Sequence, residues 1–334
     1  FSDKPGMTFP KMNRFAVLLG LAVWTLRYAV APAAPPAPAA TSLSEVDDDF
    51  FFQGEFSGQV VGLGRCGLQL IAEGGGAFRG VLHLGGLPGD GGGYGERFEF
   101  PGRREASTVL LSGDDAVIHV QLGSAVVRDG SGRQRGFLQR VVRRSPTLGL
   151  APPTNARVLF DGTSADAFAD GKMSPAGYLM HGAETKLPVS DFHLHLEFRT
   201  PYMPTARGQA RGNSGVYIQR RYEVQVLDSF GLSGETNECG GLYKTKRPDV
   251  NMCLPPLAWQ TYDIDFTAAR FNTQGKKIAD ARITVVHNGT TVQDDVAIPN
   301  KTGGGKAEAP VPLPILLQNH GNPVEFRNIW LVER

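Results

Sequence analysis

Three polar side chains near the middle of the sequence have the type and spacing of metal ligands. His193, His195 and Glu197 alternate with apolar residues in the segment Phe-His-Leu-His-Leu-Glu-Phe-Arg. In a strand they therefore share one face, with successive side chains about 6–7 Å apart. Imidazole and carboxylate groups together suit divalent transition metals. The same pattern also fits a polar sheet face whose histidines are solvated or bind a sugar.

Asp228 is a further metal candidate with two interpretations. Its context, Asp-Ser-Phe-Gly, is typical of a turn in which the carboxylate accepts backbone hydrogen bonds, and equally of a Ca²⁺ ligand. The sequence therefore makes no cofactor certain and leaves a divalent metal (Ca, Zn or Mn) open.

Two of the three cysteines could close a loop by forming a disulfide. Cys239 and Cys253 flank a loop rich in glycine and proline, and Cys66 is left over. In an oxidising compartment a bridge closing such a loop contributes about 3 kcal/mol. No Cys-x-x-Cys or Cys/His pair at zinc-finger spacing occurs. We therefore predict a Cys239–Cys253 disulfide, with two buried free thiols as the alternative.

The segments that carry these residues alternate between apolar and polar side chains, which predicts β-strands. At least seven such strands and hardly any helical periodicity predict an antiparallel β-sandwich for residues 155–334. The strands at 213–228 would turn their valines and Ile218 to the core. Their opposite face would carry polar and aromatic groups, as carbohydrate-binding sandwiches do: Asn213, Tyr217, Gln219, Glu223 and Gln225.

Residues 45–147 predict a second, smaller β-domain that is rich in glycine. Short apolar runs alternate with turn residues at intervals of about ten residues. Residues 54–150 hold 23 of the 42 glycines, and a Pro-rich stretch near 145–155 marks the boundary with the sandwich.

The N-terminal sequence has the pattern of a signal peptide, which indicates export. Residues 1–31 contain upstream residues and a signal peptide, because a positive residue precedes a short apolar run that ends in a small-x-small cleavage pattern. Residues 32–44 read as an Ala/Pro linker. Since no later apolar run reaches about 18 residues, we expect a periplasmic or secreted protein with no transmembrane segment after signal removal.

The balance of charge argues against a polyanionic partner. Lys and Arg number 34 against 33 Asp and Glu, which leaves a net charge of +1. Without a strong positive field, binding of nucleic acid is not expected.

An ordered set of short motifs in residues 155–334 resembles the 3-keto-disaccharide hydrolase family. The set comprises Leu159-Phe-Asp-Gly162, Leu194 to Arg199, Asn213-Ser-Gly-Val-Tyr217, Tyr222 to Asp228, Gly241-Leu-Tyr243, Trp259, Asn288-Gly289, Pro314 to Gly321 and Phe326 to Trp330. The resemblance implies a concanavalin A-like jelly-roll sandwich and an oxidised (3-keto) disaccharide or glucoside as substrate. The preceding region resembles the β-rich segment of planctomycete-type members.

Such a substrate implies an elimination. The C3 ketone acidifies the C2 proton, a base removes it, the enolate expels the C1 aglycone, and water adds back. The reaction needs a base with a pKa near neutrality, an enolate-stabilising group and an acid for the leaving oxygen. Glu223 and His320 are the leading candidates for the acid–base work, and Arg199 or Arg221 for stabilising the enolate.

The remaining polar residues of the motifs are expected to bind the sugar: Glu197, Asn213, Tyr217, Gln219, Arg221, Gln225, Tyr243, Trp259 and Gln318. A second function stays open, since fold does not determine function. A concave surface with Glu223, His320 and Arg199 would indicate an enzyme. A flat aromatic platform without a buried acid or base would indicate a non-catalytic, lectin-like sandwich.

Overall fold

The structure is a computed structural model that describes residues 38–93 and 95–334. The expected signal peptide and most of the Ala/Pro linker lie outside these residues. In the described part only Asp49–Phe52 (α1) and the 3₁₀ turn Gly208–Ala210 are helical. The predicted all-β class with a jelly-roll sandwich is confirmed. No helix of the described residues is long and apolar enough to cross a membrane.

The glycine-rich region is a closed barrel of eight antiparallel strands, in which the first strand pairs with the last. The strands are β1 (Gly54–Val60), β2 (Gly64–Gly74), β3 (Ala77–Leu84), β4 (Arg97–Glu105), β5 (Thr108–Ser112), β6 (Ala116–Val120), β7 (Ser124–Asp129) and β8 (Gln134–Val141). Alternate residues such as Phe56, Leu68 and Leu138 are fully buried inside. Glycine permits close strand contact: a Cβ at Gly58 would lie 2.1 Å from the Phe137 carbonyl oxygen.

The C-terminal part is a sandwich of two main sheets. Its strands are β9 (Arg157–Phe160), β10 (Phe168–Ala169), β11 (Leu179–Met180), β12 (Glu184–Thr185), β13 (Phe192–Arg199), β14 (Ser214–Ile218), β15 (Tyr222–Val226), β16 (Gln260–Thr267), β17 (Arg270–Phe271), β18 (Lys277–Ala279), β19 (Ala281–His287), β20 (Thr290–Ile298), β21 (Leu316–Leu317) and β22 (Glu325–Glu333). One sheet has the order β10-β12-β21-β14-β15. The other has the order β11-β22-β13-β16-β19-β20, with β9 beside β22, and β17 pairs with β18.

The core lies between these two sheets. Phe192, Leu194 and Phe198 contribute to it from one sheet, and Val216 and Val224 from the other. Because side chains alternate along a strand, the polar residues of each sheet project away from the core. The two polar faces therefore lie on opposite sides of the sandwich.

The barrel packs directly against the sandwich. Ile71 and Val81 project outward from the barrel and join the sandwich core. The Arg79 guanidinium donates to the Gly231 carbonyl oxygen at 3.0 Å. A Cβ at Gly231 would lie 2.4 Å from the Ile71 side chain, so the two surfaces meet closely.

The predicted Cys239–Cys253 disulfide is wrong, because all three cysteines are free and buried. The Cys239 sulfur lies 3.2 Å from the Tyr262 hydroxyl, and the Cys253 thiol is 3.4 Å from the Leu227 carbonyl oxygen. Hydrogen bonds hold the intervening loop instead, including one of 2.8 Å from the Asn251 amide to the Ser229 carbonyl. The loop thus keeps its shape without a covalent bridge.

Candidate active site

A hairpin of two short strands presents the most reactive group. Strands β14 and β15 pair so that Tyr217 lies opposite Glu223 and Gly215 opposite Gln225. The connecting turn has Gln219 and Arg220 at φ of 50° and 51°, the left-handed conformation that tight hairpin turns require. This register puts Tyr217, Glu223 and Gln225 on the sheet face away from the core.

These side chains line a cavity of about 190 Å³ together with residues from four other segments. The lining residues are Gln209, Asn213, Tyr217, Glu223, Gln225, Tyr243, Gly304, Gln318 and His320. The cavity therefore brings together seven of the residues predicted from sequence, including both acid–base candidates. We call it the Glu223 pocket.

Glu223 is the chemical centre of the pocket. It is only 2% exposed, and its Oε2 atom has no hydrogen-bond partner among the described residues. Burial raises the pKa of Glu223 to about 7, although a hydrogen bond with the Tyr217 hydroxyl lowers it in part. A carboxyl group with this pKa can exchange a proton at neutral pH.

The rest of the pocket consists mainly of side-chain amides. The Gln225 amide donates to Asn213 Oδ1 at 3.0 Å, and the Asn213 amide donates to the Gln209 carbonyl oxygen at 2.7 Å. The Gln225 and Gln318 side-chain oxygens are buried and have no partner among the described residues. Buried polar atoms are normally hydrogen-bonded, so these oxygens are suited to accept hydrogen bonds from a hydroxyl-rich ligand.

A glycine loop closes one side of the pocket. Thr302 Oγ1 accepts a hydrogen bond of 2.7 Å from the Glu223 backbone N–H, and the Gly304 backbone interacts with the Tyr217 hydroxyl. A Cβ at Gly305 would lie 2.1 Å from the Arg221 carbonyl oxygen. Only glycine there allows the loop to approach the hairpin this closely.

Two pocket residues, Gln209 and Gly304, are not predicted by the sequence patterns. Gln209 lies in the short 3₁₀ turn and Gly304 in the glycine loop, so neither belongs to an alternating strand pattern. The run of three glycines at 303–305 was the available signal, since such runs often mark a close backbone approach.

Arg199 lies outside the pocket, contrary to its expected catalytic role. It pairs with Glu325 at 2.6 Å, and its guanidinium lies over the rings of Tyr178 and Trp259. Trp259 also stacks with Arg327. Arg199 ends β13 and Trp259 directly precedes β16, both strands of the sheet opposite the pocket. The geometry therefore does not support contact of Arg199 or Trp259 with a substrate bound at Glu223.

Two further predicted sugar ligands have structural partners instead. The Arg221 guanidinium donates to the carbonyl oxygens of Ala307 and Val311 at 3.0 and 2.9 Å. The Gln219 amide donates to the Val189 carbonyl at 2.7 Å. Neither side chain lines the Glu223 pocket.

The residues proposed as metal ligands are engaged elsewhere. His195 Nδ1 lies 2.6 Å from an Asp263 carboxylate oxygen, and Glu197 pairs with Arg327 at 2.6 Å. Burial alone would raise the pKa of Glu197, but hydrogen bonds from His195, Asn328 and other groups hold it at about 2. These groups lie on the face opposite the pocket.

His193 pairs with Asp265 at 2.9 Å, and Asp228 accepts a hydrogen bond of 2.7 Å from Arg211. Within residues 38–93 and 95–334, no three His, Cys, Asp or Glu side chains are arranged to hold a metal ion. A divalent metal stays a prediction from the sequence.

The raised pKa of Glu223 has a measurable effect on stability. Its pKa of about 7 in the fold exceeds the ordinary 4.5, so the free energy of unfolding falls as pH rises between these values, by up to about 3 kcal/mol. Glu223→Gln removes this loss. We expect the variant to melt at a higher temperature than the parent near pH 8 and at a similar one near pH 4.5. Thermal unfolding at both pH values measures the difference, and an equal difference at the two would contradict the assignment.

A larger cavity, of about 590 Å³, lies elsewhere and has different chemistry. It is lined by Leu43 and Phe51, which precede the barrel, by Val142, which follows β8, and by sandwich residues that include Arg199. Its buried carboxylate, Glu55, is neutralised by Arg143 at 2.5 Å. The smaller Glu223 pocket is therefore the candidate active site.

Comparison with known proteins matches residues 155–332 to the 3-keto-alpha-glucoside-1,2-lyase-like domain family. A proposed glycosyl hydrolase of known structure from Parabacteroides distasonis ATCC 8503 is 32% identical, over 55% of this chain and 85% of that chain, with a TM-score of 0.49. A second from the same organism is 15% identical, over 54% of this chain and 94% of that one, with a TM-score of 0.39. No curated protein shows a significant sequence match.

Proposed function

This chain belongs to the 3-keto-alpha-glucoside-1,2-lyase-like family, and on that premise we propose that it cleaves glycosides whose sugar carries a ketone at C3, in the Glu223 pocket. Family membership supports a glycoside-acting enzyme. The observation that carries the finer proposal is a buried carboxyl group with a pKa of about 7 among amide oxygens that have no partner in the described structure.

The proposed chemistry is an elimination followed by hydration. Glu223 takes the proton from C2, which the neighbouring ketone acidifies, and the electron pair of the C–H bond forms the enolate. The enolate expels the C1 oxygen, which leaves with a proton, and a double bond forms between C1 and C2. Addition of water places a hydroxyl on C1 and a proton on C2, so the net reaction is hydrolysis.

An ordinary glycosidase would need a different site. Retaining and inverting enzymes use two carboxylates about 5 or about 6.5–9.5 Å apart around the bond. Glu223 is the single carboxylate among the described residues that line this pocket. One base is sufficient for removal of an acidified C2 proton.

The other pocket residues have supporting roles in this proposal. His320 is exposed at the rim, where it can donate a proton to the departing C1 oxygen. The Gln225 and Gln318 amides bind sugar hydroxyls, and Tyr243 lies beside Glu223 through a 3.1 Å backbone hydrogen bond. No described arginine or lysine lines the pocket, so the enolate oxygen would be stabilised by amide N–H groups, with Gln318 as the leading donor.

The proposal predicts a pH dependence. A base with a pKa of about 7 must be ionised to act, so kcat/KM should rise about tenfold per pH unit below pH 7. Steady-state rates on a 3-keto-disaccharide between about pH 5 and 8 measure this profile. A flat profile across this range would exclude Glu223 as the base.

A direct test compares oxidised and unoxidised sugars. Purified protein is incubated with 3-keto-trehalose or 3-keto-lactose beside the parent disaccharide, and the released aglycone is quantified. We expect release from the keto sugar alone. Binding of either sugar without any release would instead support the lectin-like function.

We place this activity in the periplasm or outside the cell, on the basis of the signal peptide predicted from sequence. Expression of the full chain in a Gram-negative host, followed by fractionation and N-terminal sequencing, tests this location. Cleavage near residue 31 is the expected result, and an uncleaved cytosolic chain would contradict it.

A further inference from the structure

The segment 200–213 joins the barrel to the Glu223 pocket. It connects β13 of one sheet to β14 of the other and contributes Gln209 and Asn213 to the pocket lining. Its path follows the surface of the barrel.

The start of the segment packs into the hydrophobic cluster of the barrel and also binds residues that precede β1. Tyr202 is 2% exposed and belongs to the barrel's hydrophobic cluster. Its ring lies 5.2 Å from that of Phe50 in an edge-on contact, and its hydroxyl donates to Asp47 at 2.8 Å. Backbone hydrogen bonds of 3.0 and 2.9 Å also link Tyr202 to Ala40.

The end of the segment is held by the last residues of strand β2. The Arg211 guanidinium donates through both terminal nitrogens to the Ala72 carbonyl at 3.4 Å while its Nε pairs with Asp228 at 2.7 Å. Arg207 donates to the Glu73 carbonyl at 3.0 Å. A Cβ at Gly74 would lie 2.7 Å from the Thr205 side chain, so the end of β2 and the segment are in close contact.

The contacts of Arg207 and Arg211 with the end of β2 are called the clamp. Gln209 lies between these two arginines and connects the clamp to the pocket. Its side-chain oxygen accepts hydrogen bonds from Asn213 at 3.2 Å and Gln225 at 3.5 Å. Its side-chain N–H donates to the Asn237 carbonyl at 2.8 Å. The position of Gln209 thus sets the orientation of the amides that face the ligand.

We propose that the barrel is a positioning element of the active site, which holds Gln209 in place through Arg211 and Arg207 and thereby tunes the affinity for the sugar. This inference rests on the proposed function of the Glu223 pocket. Arg211 and Arg207 act through Gln209 and do not touch the substrate.

The test uses Arg211→Lys in the full-length chain. Lysine keeps a positive charge beside Asp228 but lacks the forked donor that reaches Ala72. Arg79→Lys is the matched control, since Arg79 also donates from the barrel to a sandwich carbonyl, that of Gly231. It bonds the Glu73 side chain at 3.4 Å but makes no hydrogen bond to the segment. We expect Arg211→Lys to raise KM about tenfold, the cost of a misplaced hydrogen bond, with kcat nearly unchanged. Arg79→Lys should leave KM unchanged.

A mutant cycle separates positioning from general stability. In a Gln209→Ala background, Arg211→Lys should change KM less than about twofold, because coupled residues are not additive. An equal increase in both backgrounds, or the same increase in Arg79→Lys, would overturn the proposal.

Hydrogen exchange provides a readout without any substrate. Amides of residues 203–213 should exchange faster in Arg211→Lys than in Arg79→Lys. Unchanged exchange would refute the clamp even if the enzyme is active. Faster exchange in a protein that cleaves no keto sugar would support the clamp and refute the proposed function.

Discussion

Glu223→Gln is expected to lower kcat for a 3-keto-disaccharide about a thousandfold, within the range that general acid–base catalysis contributes. Glutamine has nearly the same shape, so the β14–β15 hairpin and the pocket should be preserved, but the amide cannot accept the C2 proton. KM should change little, because Glu223 has few partners other than Tyr217. Steady-state kinetics of the released aglycone measure both constants.

Glu238→Gln is the matched control for this prediction. Burial also raises the pKa of Glu238, but its carboxylate accepts hydrogen bonds from the backbone of Gly234 and Glu235 and does not line the pocket. It should retain parental turnover. If Glu223→Gln were as active as this control, Glu223 would have no part in the chemistry.

Gly215→Ala is expected to lower kcat about a hundredfold through the position of the base. The added Cβ would lie 2.4 Å from Glu223 Oε1 and 3.1 Å from its Cδ, so the carboxyl group must move. A displacement of about 1 Å in a reacting group can cost about a hundredfold in rate. The strand itself should tolerate alanine, because Gly215 is not at positive φ. The measurement combines kcat with a thermal unfolding curve.

Gly123→Ala controls for the loss of a glycine as such. A Cβ at Gly123 would meet no atom within 4 Å, and the residue lies in the barrel. Its kcat should equal that of the parent. An unchanged kcat in Gly215→Ala would show that the reaction does not depend on the position of the Glu223 carboxyl group, which would contradict its role as the base.

Strand periodicity was sufficient to predict the sheet faces but not how the two sheets are arranged. It correctly placed Tyr217, Glu223 and Gln225 on one polar face, because side chains alternate along any strand. It placed Arg199 on a polar face in the same way. That face belongs to the other sheet of the sandwich, and a single strand's pattern carries no information on which sheet it joins.

Residues that depend on packing between distant segments could not be predicted. Gln209 enters the pocket because the barrel holds its segment, and Gly304 because its loop lies against β15. The spacing of Cys239 and Cys253 likewise says how much chain separates the sulfurs, not how the core orients them. In the structure the two thiols are close enough to shift each other's pKa but are not bonded, and each also has its own oxygen partner.

The most direct test of proton removal at C2 uses a 3-keto-disaccharide labelled with deuterium at C2 of the oxidised sugar. In ordinary water, turnover should be slower than with the unlabelled substrate, and the sugar product should have lost deuterium from C2, because Glu223 removes that atom before the aglycone leaves. Cleavage at an unchanged rate with all the deuterium retained would show displacement at C1 and contradict the elimination.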